Sequence, residues 1–303
     1  MTIVRGDTRK QLQQGLNAVF GLTYNEWPNQ WKDIFDQNTS QKAFEEEVMQ
    51  TGLGSAFLKP EGRGVEYDDM AETYVARYQH ATFGIAVQIT EEAIEDNLYA
   101  DQGQRIARAM ARSMGYFEEV QGANVLNNAF DSNFPGGDGV SLCSLSHPLV
   151  GASVLPNTLV TQSDLSESSL EQAAVDISNW TDERGIPVQC SIKRLIIPTA
   201  TQFVATRLLM TPYQPDTNDN NINAMFKLGT IRDGFSVNRY ITDSNSWYAI
   251  TDVPDGLKYF LRRPLKKGIE GDFDSGNMRY KVTKRSSFGF SNPRGAYGSS
   301  GST

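Results

Sequence analysis

Cysteine and histidine are both scarce in this chain of 303 residues, with two of each. Cys143 and Cys190 lie far apart and lack a metal-ligand spacing, which excludes a disulfide framework and a cysteine-based zinc site and leaves two small buried residues as the expectation. Long hydrophobic runs are missing too. No stretch of about 18 apolar residues exists to span a membrane, and the opening Met-Thr-Ile-Val-Arg-Gly-Asp lacks the apolar core of a signal peptide, so a cytoplasmic protein is expected. Positive charge is in deficit: 28 Lys and Arg against 36 Asp and Glu give a formal charge of -8. That balance argues against wholesale wrapping by nucleic acid or attachment to an anionic membrane, though local basic patches stay open. Internal repeats are absent as well. The length allows one large domain or two ordinary ones.

What the chain does contain is ordered in blocks. Residues 1–50 read as a polar leader with scattered aromatics (Phe20, Tyr24, Trp27, Trp31, Phe35) and an acidic Glu45-Glu46-Glu47, an arm with a few anchor points. A helix is expected from Thr8 to Phe20, with Leu12, Leu16 and Val19 on one face and Gly21 as its stop. Lys59 to Tyr74 holds two Gly, one Pro and seven charged residues, too polar to bury a core, so something outside the chain must order it. From Val75 the odd positions Arg77, Gln79, Ala81, Phe83, Ile85, Val87 and Ile89 alternate with Tyr78, His80, Thr82 and Gln88, one strand with one buried face.

Thr90 caps an expected helix at Glu91 that carries Ile94 and Leu98, and Asp101 and Gly103 break or bend it. From Gln104 to Phe130 an apolar stripe through Ile106, Met110, Met114, Phe117, Leu126 and Phe130 predicts a helix of roughly 40 Å, a spine across a flat molecule. An αβ region follows. Its expected parts are a helix over Ser166 to Trp180, a core strand at Lys193 to Pro198, a helix capped by Thr199 and a polar loop from Pro212 to Asn223. Short strands over Thr230–Ile241, Trp247–Thr251, Leu257–Arg262 and Met278–Val282, with Phe288 and Phe290, complete the chain.

Marks of catalysis are sparse. Cys143 and His147 stand near Ser144 and Ser146, which leaves a cysteine hydrolase as a minor alternative, but no nucleophile-elbow pattern surrounds them. His80 reads as a hydrogen-bonded structural histidine. Asp216, Asn218 and Asn220 imitate a calcium loop, yet Asn221 and Lys227 stand where Gly and Glu are required. Gly136-Gly137-Asp138-Gly139 lacks the Lys and hydroxyl residue of a phosphate loop. No catalytic residue, cofactor or metal is assigned. The charges suit contact better: Arg105, Arg108 and Arg112 project from one side of the long helix, and the hairpin offers Lys59, Glu61, Arg63, Glu66, Asp68, Asp69, Glu72 and, at its base, Arg77. Opposite signs on two extended parts invite pairing between subunits.

This order of parts, with Phe83-Gly84-Ile85-Ala86-Val87-Gln88-Ile89-Thr90 ending the strand, resembles the major capsid protein of tailed bacteriophages, the Hong Kong 97 fold. Ile94-Glu95-Asp96-Asn97-Leu98-Tyr99, Gly122-Ala123-Asn124-Val125-Leu126-Asn127, Gly136-Gly137-Asp138-Gly139 and Ser287-Phe288-Gly289-Phe290-Ser291-Asn292-Pro293-Arg294-Gly295 resemble its Mu-like head subunit branch. The resemblance implies an α+β fold with an N-terminal arm (1–50), an extended hairpin loop (51–90), a peripheral domain (91–140 and 256–303) and an inserted αβ axial domain (141–255). It also implies hexamers and pentamers in an icosahedral shell around double-stranded DNA, built in the bacterial host cytoplasm. A separate scaffolding protein, a portal and a decoration protein are the implied partners. Encapsulin-like compartment shells share the fold and form the alternative.

Overall fold

The longest helix forms where the apolar stripe is longest. The computed structural model describes residues 5–26, 28–90, 92, 99–149, 153–213, 222–272 and 276–302, and a single helix, α2, covers Tyr99–Asn127. It rises roughly 43 Å at 1.5 Å per residue. The expected break at Asp101 and Gly103 does not occur. A helical glycine costs only about 1 kcal/mol, and here α2 is held by helix α1 (Arg5–Tyr24), whose Leu16 and Phe20 are buried with Ala107, Met110, Ala111 and Met114. That packing also carries α1 through Gly21, its expected stop. The inward stripe of α2 departs from expectation at one turn: Phe117 is exposed, its ring lying 5.0 Å from that of Phe83, and Glu118 points inward instead. The expected helix from Glu91 with Ile94 and Leu98, the anchor Trp27 and the Asp216, Asn218 and Asn220 series lie outside the described residues.

Two four-stranded sheets flank the helices. The first has the order β1-β10-β11-β4: β1 (Asp36–Thr39) runs parallel to β10 (Leu257–Gly271), which is antiparallel to β11 (Met278–Phe290), itself antiparallel to β4 (Ala81–Ile89). The strands expected at Leu257–Arg262 and Met278–Val282 are thus the beginnings of much longer ones. The second sheet has the order β12-β9-β7-β8, from Ala296–Ser299, Trp247–Thr251, Ile192–Ile197 and Phe235–Val237. Helix α3 (Glu167–Ser178) packs there through Leu170, Ala173 and Ile177, together with Trp180 just beyond it, and starts with Ser166 and Ser169 exchanging capping hydrogen bonds. Thr199 caps nothing: it opens a 3₁₀ turn that leads into α4 (Gln202–Met210), followed by a short α5 (Ala224–Leu228). A small ribbon pairs β5 (His147–Pro148) with β6 (Val154–Leu155).

The single strand expected from Val75 is two. β3 (Glu72–Gln79) pairs with β2 (Phe44–Gln50), whereas β4 pairs with β11, and the buried parity switches between them. Ala76, Tyr78 and His80 face inward before the junction, and Phe83, Ile85 and Val87 after it, so Arg77 and Gln79 lie on the solvent side. His80 holds the junction between Ser287 Oγ and Ser40 Oγ, 2.9 Å from each, the structural role expected of it. Residues 1–50 are also more than an arm, since β1 and β2 join two sheets and Trp31, Ile34 and Phe35 enter the core. At the other terminus β12 pairs with β9. Residues 296–299 therefore sit with the sheet of 141–255 and not with the peripheral part expected for 256–303.

Candidate assembly surfaces

The β2–β3 hairpin pairs Phe44 with Gln79 through Gln50 with Glu72, and residues 51–71 form its extended end. Its base is well tied to the rest of the chain. Tyr78 Oη lies 2.5 Å from Ser291 Oγ, Tyr74 donates to Ser291 O, and Glu47 meets Lys258 Nζ at 2.5 Å. Beyond Thr51 the ties thin out: Gly54 N–H donates to Asp68, and Arg184 reaches Asp68 and the carbonyl of Asp69. The Gly54 N–H holds the Asp68 carboxyl below its ordinary range.

Every predicted hairpin residue is exposed: Lys59, Glu61, Arg63, Glu66, Asp68, Asp69, Glu72 and Arg77. Asp68 is engaged within its own chain by Gly54 and Arg184, and Arg77 lies over the Phe44 ring at 4.0 Å beside Glu46. Arg105, Arg108 and Arg112 are likewise exposed on α2, and the last two border a notch with Leu22, Thr23 and Glu26. Reading the hairpin as merely polar missed its second property. Leu53, Phe57, Leu58, Val65, Tyr67 and Met70 are also exposed, Leu58 at 95% and Tyr67 at 101%. Apolar side chains concentrated on one protruding element mark an interaction surface. They outweigh exposed ion pairs, each worth about 0–1 kcal/mol.

Sequence reasoning also missed two buried carboxylates, because acids on an otherwise polar helix carry no signal of burial. Glu118 is 1% exposed and accepts from Tyr24 Oη at 2.6 Å, Tyr259 Oη at 3.1 Å and Lys284 Nζ. Glu119 accepts from the backbone N–H groups of Gln30 and Trp31, fastening the leader to α2. Burial raises the Glu119 carboxyl to about 7, and Glu118 and Asp33 add to the rise against those two donors. Folded-state affinity for this proton thus exceeds that of the unfolded chain. Its stabilising contribution is complete below about 4.5 and lost as pH rises through about 7. Urea midpoints should accordingly fall more between about pH 5 and about pH 8 in the wild type than in Glu119→Gln. Equal falls would contradict the assignment.

Cys143 and His147 do not form a thiolate–imidazole pair. Cys143 is buried, which pushes its thiol well above the ordinary range, and His147 has Asp138 Oδ2 at 2.6 Å from one ring nitrogen and Asn157 Oδ1 at 3.2 Å from the other. Asn157, unmarked in the sequence, accepts from Ser144 N–H and donates to the carbonyls of Leu142, Pro293 and Ala296. The cluster locks the glycine loop and the chain's return together. Gly137 is required there, because a Cβ would lie 2.8 Å from the Val75 carbonyl of β3. Among the described residues no group of three or more potential metal ligands gathers, and no helix is long and apolar enough to cross a membrane.

Comparison with known proteins places this geometry. A family model described as a phage capsid protein matches residues 73–299. Among solved structures, the procapsid of bacteriophage JBD30 superposes with a TM-score of 0.54 at 15% identity, over 99% of this chain and 77% of that one. A chain of Mycobacterium phage Che8 gives 0.52 at 13% identity, over 88% and 89%. The virus-like particle from Pyrococcus furiosus gives 0.51 at 12%, over 94% and 98%. No curated protein matches the sequence.

Proposed function

The chain belongs to the phage capsid protein family as a major capsid protein, and from that premise we propose that it assembles into the hexamers and pentamers of an icosahedral head enclosing double-stranded DNA. The observation that carries the reading is the 51–71 hairpin end. It sets exposed Phe57, Leu58 and Tyr67 beside exposed charges, and beyond the Thr51–Ala71 hydrogen bonds its ties to its own chain among the described residues are the Gly54–Asp68 hydrogen bond and the reach of Arg184 to Asp68 and the Asp69 carbonyl. In this reading the hairpin lies across the next subunit, and Lys59, Glu61, Arg63, Glu66, Asp69, Glu72, Arg105, Arg108 and Arg112 line contacts between copies. A scaffolding protein, a portal and a decoration protein complete the set of partners, and assembly takes place in the bacterial host cytoplasm. The net charge of -8 keeps contact with the genome nonspecific and local. Assignment to the Mu-like branch rests on the four motifs quoted above.

A second reading, an encapsulin-like compartment shell, draws on the near-complete overlap with the Pyrococcus furiosus particle chain. Both readings predict closed shells, and the contents separate them. Co-expression with a scaffolding protein should give uniform icosahedral particles in electron micrographs, with nuclease-protected DNA once packaging functions are supplied. Protein cargo without DNA would favour the compartment. A persistent monomer at high concentration would sink both.

A further inference from the structure

The two sides of the first sheet are covered differently. Along β10, Tyr259 sends its hydroxyl to Glu118 of α2, while the next residue, Phe260, packs on Tyr78 at the hairpin base, as successive side chains of a strand must. Helix α2 therefore lies on one side and the hairpin base on the other. Where α2 turns to solvent, Arg105, Arg108 and Arg112 are exposed, with Gln104, Ala109 and Ser113 exposed among them. The three arginines span roughly 10 Å of the helix at 1.5 Å per residue. No acid occurs from Gln104 to Phe117.

Arg77, Arg184, Arg194, Arg232, Arg279 and Arg294 each pair with a carboxylate, whereas Arg105, Arg108 and Arg112 have neither an ion pair nor a hydrogen bond among the described residues. Glu26 borders the notch that Arg108 and Arg112 share with Leu22 and Thr23, yet it pairs with neither. Like charges three and four residues apart on a helix repel, so the stripe costs stability until an anion is supplied. That anion has three possible sources: an acid of another copy, an acidic segment of a protein partner, or phosphate. In a shell one subunit thick every copy lies the same way up, so the stripe looks away from the side that carries the hairpin bases. Gln, Ala and Ser stand among the arginines, without the apolar anchors that protein interfaces bury. Duplex phosphates need only cations and polar donors, and guanidinium matches their geometry.

We propose that Arg105, Arg108 and Arg112 form a phosphate-binding stripe that holds the enclosed double-stranded DNA by its backbone, without reading its sequence. The proposal rests on the shell reading and gives these three residues to the genome instead of to contacts between copies. One phosphate per arginine is a light hold. The net charge of -8 repels the rest of the duplex, so each subunit touches DNA at this stripe without being wrapped by it.

Arginine labelling with phenylglyoxal, read by mass spectrometry, tests the stripe in wild-type shells. Arg105, Arg108 and Arg112 should be labelled in empty shells freed of scaffolding protein and lose that labelling in DNA-filled ones. In solution, binding of the unassembled subunit to a short duplex of arbitrary sequence should weaken with salt. Arg105→Gln with Arg108→Gln and Arg112→Gln should reduce the slope of log affinity against log salt by about 2–3. Lysine at the same three positions should keep the slope, and circular dichroism shows whether each variant is folded. Equal labelling of filled and empty shells, or an unchanged slope in the folded glutamine variant, would overturn the proposal while the shell reading stands. Protection in empty shells as well would overturn it in favour of contact between copies. Protection in shells that hold scaffolding protein but no DNA would overturn it in favour of an acidic protein segment, with exposed Leu22 as its apolar anchor. Failure of the wild type to form shells would overturn the shell reading itself, and the salt slope of the free subunit would still judge the stripe.

Discussion

Replacing residues 53–70 by a short Gly-Asn-Gly turn is expected to leave a folded monomer that forms no shells. The deletion removes few contacts of the chain with itself: the Gly54–Asp68 hydrogen bond and the exposed reach of Arg184. Exposed pairs of this kind contribute about 0–1 kcal/mol, and a shorter loop recovers a little closure entropy. β2–β3 pairing at Gln50 and Glu72 survives. Assembly loses much more. Full burial of a side chain such as Phe57 or Leu58 on a neighbour is worth about 1.5–3 kcal/mol each, and about 1.4 kcal/mol is tenfold in an equilibrium constant. Repeated around every subunit, that loss takes shells below detection by sedimentation. Shells of normal yield from the deleted chain would remove the hairpin from the assembly account.

Lys284→Ala is expected to lower the stability of the monomer by about 3–5 kcal/mol. The reason is what it leaves behind. Glu118 is 1% exposed, and Lys284 is its only cationic partner among the described residues, supported by Tyr24 and Tyr259. Removing the ammonium strands a buried charge at the meeting point of α1, α2 and the first sheet. Replacing both members with apolar residues, Glu118→Leu with Lys284→Met, should recover most of the loss, because a buried pair is costly chiefly when half of it is missing. Denaturant unfolding of the two variants checks this. Equal destabilisation of the single and paired variants would show that shape, not charge, governs the site.

Elements with simple periodicity were legible in the sequence. Trp247–Thr251 forms a strand over the expected residues, and the stripe of α3 and most of that of α2 face the core as read. Gly21 and Gly103 misled because local propensity is weak beside the packing of α1 on α2. β10 and β11 were truncated in the reading because Arg262 to Lys267 and Arg279 to Arg285 break an apolar alternation with cations. One face of the ribbon is open, and even the covered face admits Lys267 and Lys284. Glu118, Glu119 and Asn157 left no trace, since a polar residue's burial depends on partners over 80 residues away or on several carbonyls at once. At the hairpin the charges were visible, while Phe57, Leu58 and Tyr67 were hidden among them. Their importance emerges only from their exposure among the described residues.

The central claim is that the hairpin belongs structurally to the neighbour. A reconstruction of the assembled shell, at a resolution that traces side chains, tests it most directly. The account predicts residues 52–71 of each subunit ordered against an adjacent one, with Phe57, Leu58 and Tyr67 buried at that contact. Shells in which these residues project freely, or fold back onto their own subunit, would contradict it.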